Sequence, residues 1–339
     1  MKHDRLSFYE REEGGAPVTL LSVPLELGSD ERGLAEAPKY LQQHGVEKLF
    51  PAIGREIAEH RSFICPKPHM VASAGTMKNV HEIVSVAKRT RAATEKAGKR
   101  GDTVVALGGD HSMSLGTIAG AAAAHSSLGL IYIDAHPDCT MESTTATGNV
   151  HGMIVSSATG QGNSLLTDLF TRKIRPEHVL YIGIKDIDAP EITLIRESGI
   201  RYFSMLDVAA DGLRPLFREI SALSQTVEKV WVSMDLDSID EQYAPGVAMT
   251  TQGGLTRREV MSLAHYVGKV CNVAGLDIAE MLPAKDKDGI TARLTIELIA
   301  RFLGGQYDWY ENYMAHYKEI NVIEEREKVA VGRRGNTQH

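Results

Sequence analysis

Short apolar runs alternate with longer amphipathic stretches along most of the chain. Six runs, at 16–24 (APVTLLSVP), 103–109, 128–136, 178–185, 229–237 and 272–280, are rich in Val, Ile and Leu and apolar at consecutive positions. A strand buried on one face alternates apolar with polar residues. Uninterrupted runs instead predict strands covered on both faces, as in a parallel sheet between helices. Between them, 76–98, 112–125, 190–199, 212–225, 256–268 and 290–303 carry helical spacing. Strand then helix, repeated, predicts βαβ units and an α/β fold on a mostly parallel sheet. The chain has no internal repeat, low-complexity linker or break in composition, so residues 1–339 are expected to form one domain. From Glu319 the sequence is charged and closes with GRRGNTQH, so 319–339 is expected to be a frayed tail.

Composition narrows the function classes. With 37 basic and 44 acidic residues the formal net charge is −7, against the basic face that a general nucleic-acid partner requires. No apolar run approaches the roughly 18 residues that span a membrane. The opening MKHDRLSFYEREEGG lacks the apolar core of a signal peptide, and Cys65, Cys139 and Cys271 form neither a CxxC pair nor an even disulfide framework. A cytoplasmic protein with neither nucleic-acid nor membrane partner is expected.

Candidate chemistry gathers where several strands end. Asp110 and His111, Asp134 through Asp138, Asp235 with Asp237, and Asp277 with Glu280 all follow apolar runs. Open parallel sheets bind ligands beyond the carboxyl ends of their strands, so these groups should converge on one rim. One such turn alone reads as a helix cap, as Asp110 and Ser112 could be, or as a phosphate cradle at Gly108-Gly109. The cradle is weakened by the charge of Asp110 and by the absence of GxGxxG. The conjunction reads differently. Asp134, Asp138, Asp235 and Asp237 with His111 and His136 supply four carboxylates and two imidazoles. Packed together without counter-charge they would repel and partly protonate, whereas two divalent cations cancel their formal charge. Such a pair, roughly 3.5–4 Å apart, is a known catalytic arrangement. Oxygen-rich ligands without thiolate favour Mn²⁺ over structural zinc.

GGDHS (108–112), DAHPD (134–138), TGNVHGM (147–153), SMDLDSID (233–240) and GLDIAE (275–280) resemble the ureohydrolase family, which includes arginases, agmatinases and formimidoylglutamases, and are most similar to its arginase branch. ELGSDERGLAEAPKYL (26–41) resembles the family's first loop and helix. The resemblance implies a three-layer αβα sandwich around an eight-stranded sheet, two Mn²⁺ per subunit, a small guanidino substrate and a homo-oligomer, trimer or hexamer. It implies that His111 and Asp138 bind one ion, His136 and Asp237 the other, and that Asp134 and Asp235 bridge them. A hydroxide between the ions would attack the guanidinium carbon, with Asp138 orienting it and accepting its proton. Glu280 matches the carboxylate that grips the guanidinium, and His151 the proton shuttle, suited by a pKa near neutrality.

Thr147 and Asn149 match positions that hold an amino acid's carboxylate, and Asp188 matches the aspartate near its α-ammonium. Together they imply L-arginine as substrate, with L-ornithine and urea as products. The chain departs from the arginase pattern twice. Thr140 stands where Asn is usual, weakening a contact to the carboxylate end. In PGVAMTTQGG (245–254), Met249 replaces a threonine beside Glu280, so a buried carboxylate is expected to lose a donor. The APGV wording is similar to formimidoylglutamases. Agmatine, guanidinobutyrate and formimidoylglutamate therefore stay open as substrates, as does a metal-binding scaffold without turnover. Asp277 and Asp186 read either as carboxylates that orient the histidines or as loop caps, and Cys139 as a packing residue.

Overall fold

The computed structural model describes residues 15–67 and 77–305. Strands β1 (Val18–Val23), β2 (Ile57–Ser62), β3 (Thr103–Gly108), β4 (Leu128–Ile133), β5 (Val179–Ile184), β6 (Arg201–Ser204), β7 (Lys229–Asp235) and β8 (Val273–Ala279) make one sheet, in the order β2-β1-β3-β8-β7-β4-β5-β6. Every neighbouring pair is parallel.

The period of two along each strand divides the core. Val105, Leu107, Ile131, Ile133, Val232, Met234, Leu276 and Ile278 pack with helices Ala37–Gln43, Val46–Ala52, Arg214–Thr226, Arg257–Val270 and Ile290–Phe302. Val104, Ala106, Leu130, Tyr132 and Trp231 face the other way, toward helices Val80–Arg100, Ser114–Ala124, Ile154–Thr159 and Ala189–Ser198. Each fully buried aliphatic side chain contributes about 1.5–3 kcal/mol, so both faces of the sheet hold the three layers together.

All six apolar runs are strands. The other two, β2 (IAEHRS) and β6 (RYFS), lie at the sheet's two edges and carry no such run. An edge strand is paired on one side and partly solvated, so its sequence need not be apolar. The six long helices lie within a few residues of the spans predicted from the pattern. Helix Val80–Arg100 begins after the predicted position 76, which is outside the described residues, as is the tail 319–339. Among the described residues no helix is long and apolar enough to cross a membrane.

One glycine ties this frame to the chemistry at its rim. As the chain leaves β1 it crosses directly over the end of β3: Gly109 N–H donates to Val23 O (3.1 Å) and Asp110 N–H to Leu25 O (2.7 Å). A Cβ on Gly109 would sit 1.8 Å from Leu25 O, so no other residue fits without moving the backbone. Gly109→Ala is expected to cost more than about 2 kcal/mol, read as a lower midpoint in urea unfolding. An unchanged midpoint would mean that this crossing yields freely.

Candidate metal centre and active-site pocket

β3, β8, β7 and β4 are neighbours at the middle of the sheet, and their carboxyl ends lead into His111, Glu280, Asp235 and Asp134 respectively. The topology thus gathers groups that are up to 169 residues apart in sequence, as in the bond from His111 N–H to Glu280 Oε1 (2.8 Å). Each approach has a local cause. Asp110 caps the turn His111–Met113 by accepting from Ser112 N–H (2.8 Å), while its other oxygen accepts from Gly28 N–H (2.8 Å). Asp235 caps the next turn through Asp237 N–H (2.8 Å). Asp138 and Glu280 adopt left-handed backbone, with φ of 47° and 62°. Non-glycine residues in that region carry strain, which concentrates at functional sites. The Asp138 turn is held by Val155 N–H to Asp138 O (2.9 Å) and by Cys139 N–H to Glu191 Oε1 (3.2 Å).

Two clusters share one carboxylate. His111, Asp134 and Asp235 form one and Asp134, His136 and Asp237 the other, the ligand atoms of each lying within 4.8 Å of one another. His111 Nδ1 is 3.1 Å from Asp134, 3.3 Å from Asp138 and 3.3 Å from Asp235. His136 Nδ1 is 3.4 Å from Asp134 and 3.1 Å from Asp237. All six residues expected as ligands therefore meet.

Charge is expensive here. Burial, then Asp138 and Asp237, pushes Asp134 up to about 6. Burial, then Asp237 and Asp134, raises Asp235 well above its ordinary value. Burial opposes charge on His111 and His136 too, yet the surrounding carboxylates raise both. Asp134 Oδ2 is buried and, among the described residues, accepts no hydrogen bond. A lone pair left over in an oxygen-rich cluster with two imidazoles fits divalent cations.

A cavity of about 400 Å³ opens onto this centre, lined by His136, Asp138, His151, Glu280, Asp188 and Met249 among others. Thr140, Thr147 and Asn149 also line it, so every residue expected at the substrate end is at the pocket. Part of their polar capacity is engaged within the protein, while Asn149 Oδ1 is buried without a partner among the described residues. Thr140 Oγ1 donates to Gly152 O (2.7 Å), Thr147 Oγ1 accepts from Asn149 N–H (3.1 Å), and Asn149 Nδ2 donates to Asp30 (3.1 Å). Asp188 caps helix Ala189–Ser198 in a reciprocal capping box with Glu191.

The geometry bears on three expectations. Met249 supplies Glu280 no donor, yet Glu280 Oε1 takes His111 N–H (2.8 Å) and lies 3.1 Å from His151 Nδ1, while Met249 is half exposed. His151 does not sit near neutrality. Burial opposes its charge, but Glu280 and then Asp138 lift it to about 9. Asp186 lines the pocket and is no histidine partner among the described residues, whereas Asp277 reaches His111 through Ser233. Cys139 is buried and its thiol is pushed up by burial, in keeping with a packing role.

Sequence reasoning missed Tyr132, Ser233 and Glu191. Tyr132 Oη donates to Asp138 Oδ2 (2.6 Å), and its ring stacks on His111 at 4.9 Å. Glu191, which burial raises to about 7, bridges Cys139 N–H and Asp188 N–H. The available signal was a hydroxyl two positions before Asp134 and Asp235 (Tyr132, Ser233) inside otherwise apolar strands.

The Arginase family model matches residues 16–304. The arginase of Bacillus caldovelox is 31% identical over 293 residues, covering 85% of this chain and 98% of its own. Its native structure superposes with a TM-score of 0.83, covering 86% of this chain and 99% of that one. The arginase of Entamoeba histolytica, solved in complex with L-ornithine, matches with a TM-score of 0.81 at 27% identity, covering 86% of this chain and 99% of that one.

The His151–Glu280 pair has a direct test. In metal-free protein the His151 ring should titrate near pH 9 by NMR, and Glu280→Gln should bring it down toward its ordinary value. Because the folded pKa exceeds the ordinary value of about 6.5, the pair's stabilisation is fully present below about pH 6.5 and fades as pH rises through about 9. A ring that titrates near 6.5 in the unaltered protein would show that the pair does not form.

Proposed function

The chain belongs to the arginase family of hydrolases acting on guanidino groups, and from that premise we propose that it converts L-arginine and water to L-ornithine and urea. The observation that carries this reading is the pair of ligand clusters sharing Asp134 beside Glu280, in a pocket that also presents Asp188. We assign His111 and Asp138 to one Mn²⁺, His136 and Asp237 to the other, and Asp134 and Asp235 to both. Bound there, the ions would supply Lewis acidity that brings the pKa of water near neutrality.

The protein's own groups complete the chemistry. Glu280 offers a carboxylate to the planar guanidinium, a charge-assisted pairing that holds the reacting carbon in place. Tyr132 donates to Asp138 Oδ2, which leaves Oδ1 to accept a proton from the attacking water. His151, beside Glu280, can hand a proton to the leaving amine, so that urea departs from a good leaving group. Asp188 provides a carboxylate for the α-ammonium. A cytoplasmic homo-oligomer, trimer or hexamer, is part of the same proposal and follows the family.

Agmatine is the alternative substrate that a specific observation favours. Thr140 Oγ1 and Asn149 Nδ2 donate within the protein while Asn149 Oδ1 is left as a buried acceptor, Glu31 and the Lys78-paired Asp30 line the pocket, and among the described residues no Lys or Arg lines it. That lining suits an ammonium end better than a carboxylate end, and disfavours guanidinobutyrate and formimidoylglutamate.

Mn²⁺-loaded protein is expected to release urea from L-arginine in excess of agmatine. Asp138→Asn should lower turnover by on the order of 10²–10⁴-fold. Release from agmatine alone would transfer the assignment to that substrate, and uptake of metal without urea from either would support a scaffold. Stripping the metal and restoring it should lower and then raise the thermal midpoint, since ions that bind only the folded state stabilise it.

A further inference from the structure

Asp277 lies in β8 beneath the metal centre and is fully buried. Its Oδ1 accepts from Ser233 Oγ (2.6 Å) and Ser114 Oγ (2.9 Å), and its Oδ2 from Thr117 Oγ1 (2.7 Å) and Trp231 Nε1 (2.8 Å). Four donors from two elements, β7 and helix Ser114–Ala124, fill the lone-pair positions of a carboxylate, with no Lys, Arg or His among them. A buried anion satisfied so completely by neutral groups is costly to assemble, and its effect travels outward through one of them.

Ser233 has a single hydroxyl proton, and it goes to Asp277. Toward His111 Nε2, 2.9 Å away, Ser233 Oγ can therefore only accept. His111 must carry a proton on Nε2. Its Nδ1 faces Asp134, Asp138 and Asp235 at 3.1–3.3 Å. Tyr132, 3.1 Å from Nδ1, directs its own proton to Asp138, so it does not donate to that nitrogen either. A neutral imidazole protonated at Nε2 has its lone pair on Nδ1, the form a cation requires.

We propose that Asp277 is a positioning residue for the metal centre: through Ser233 it holds the proton of His111 on Nε2 and so keeps Nδ1 bare for the cation. The proposal rests on the assignment of His111 as a metal ligand made above. Among the described residues no side chain bonds to Nε2 of His136, so the relay serves one ion site and not the other.

The donor count makes Asp277→Asn more than a loss of charge. Trp231 can only donate, so the new amide must turn its oxygen to Trp231 and its NH₂ toward Ser233 and Ser114. Ser233 then accepts from the amide and donates to His111 Nε2, which drives the imidazole proton to Nδ1, the nitrogen facing the cation. Ser233→Ala merely frees the imidazole to adopt either tautomer. Thr117→Val removes a donor from the far oxygen and leaves the Ser233 bond intact.

Titration of metal-stripped protein with Mn²⁺, followed calorimetrically, decides the matter, with thermal unfolding of each stripped variant as the check on folding. The unaltered chain should take up two ions. Asp277→Asn should weaken one of them by about 10–100-fold and leave the other within a few-fold, Ser233→Ala should weaken the same one less, and Thr117→Val should match the unaltered chain. A folded Asp277→Asn that binds both ions as tightly as the unaltered chain would overturn the proposal. So would Thr117→Val weakening the site as much as Ser233→Ala, because both would then act through packing alone. If Asp277→Asn does not fold, Ser233→Ala against Thr117→Val decides: equal binding overturns the relay, weaker binding in Ser233→Ala alone supports it. An unaltered chain that takes up no Mn²⁺ would overturn the metal assignment itself, and the relay with it.

Discussion

Carboxylates crowded together at the floor of one cavity set the terms for everything else at the rim of this sheet. Asp134 and Asp235 are pushed upward by burial and by their acidic neighbours, while His111 and His136 are pushed upward by the same carboxylates. Such a cluster is stable only when positive charge enters it, as imidazolium protons or as metal. The scaffold holds that repulsion in check through covalent position: each acidic group sits on the first residues after a buried strand, where the strand's own packing leaves no room to retreat.

That packing explains why a parallel sheet suits the task. Strands β3, β8, β7 and β4 are buried on both faces, so their ends are rigid and all point the same way. The turns beyond them are then free to adopt costly conformations. Left-handed Asp138 and Glu280 are examples, and so is the crossing of Leu25 over Gly109, where only a hydrogen side chain fits. The same rigidity extends behind the centre, where Asp277, Trp231, Ser114 and Thr117 form a polar network inside an otherwise apolar layer. Such networks are tolerated only when every member is satisfied, and this one is.

The substrate end is organised differently. Thr140, Thr147 and Asn149 line the cavity but bond within the protein, and Lys78 joins the two loops at its mouth by donating from Nζ to Asp30 (2.8 Å) and from its backbone N–H to Gly148 O (2.8 Å). Loops tied to one another rather than to the sheet are where substrate preference can change without disturbing the candidate metal ligands. The departures at Thr140 and Met249 fall in this layer, while the six expected ligands stand in the rigid one.

Much of this protein was legible in its residues. Uninterrupted apolar runs announced the six strands covered on both faces, because burial on both sides leaves few polar positions; the edge strands β2 and β6 left no such mark, because solvent accepts polar side chains there. The acidic strand ends marked the cluster of carboxylates and imidazoles for the same reason: an apolar core has no use for carboxylates, so their recurrence points to a charged site. What the sequence could not express was direction. The hydroxyls of Tyr132 and Ser233 are ordinary letters in a strand, and their meaning depends on which neighbour takes their single proton. Only the tertiary structure, by setting β8 between β3 and β7, brings Asp277 within reach of Ser233 and Glu280 within reach of both His111 and His151. Residue type determines which groups can bear charge; packing alone decides which of them must share it.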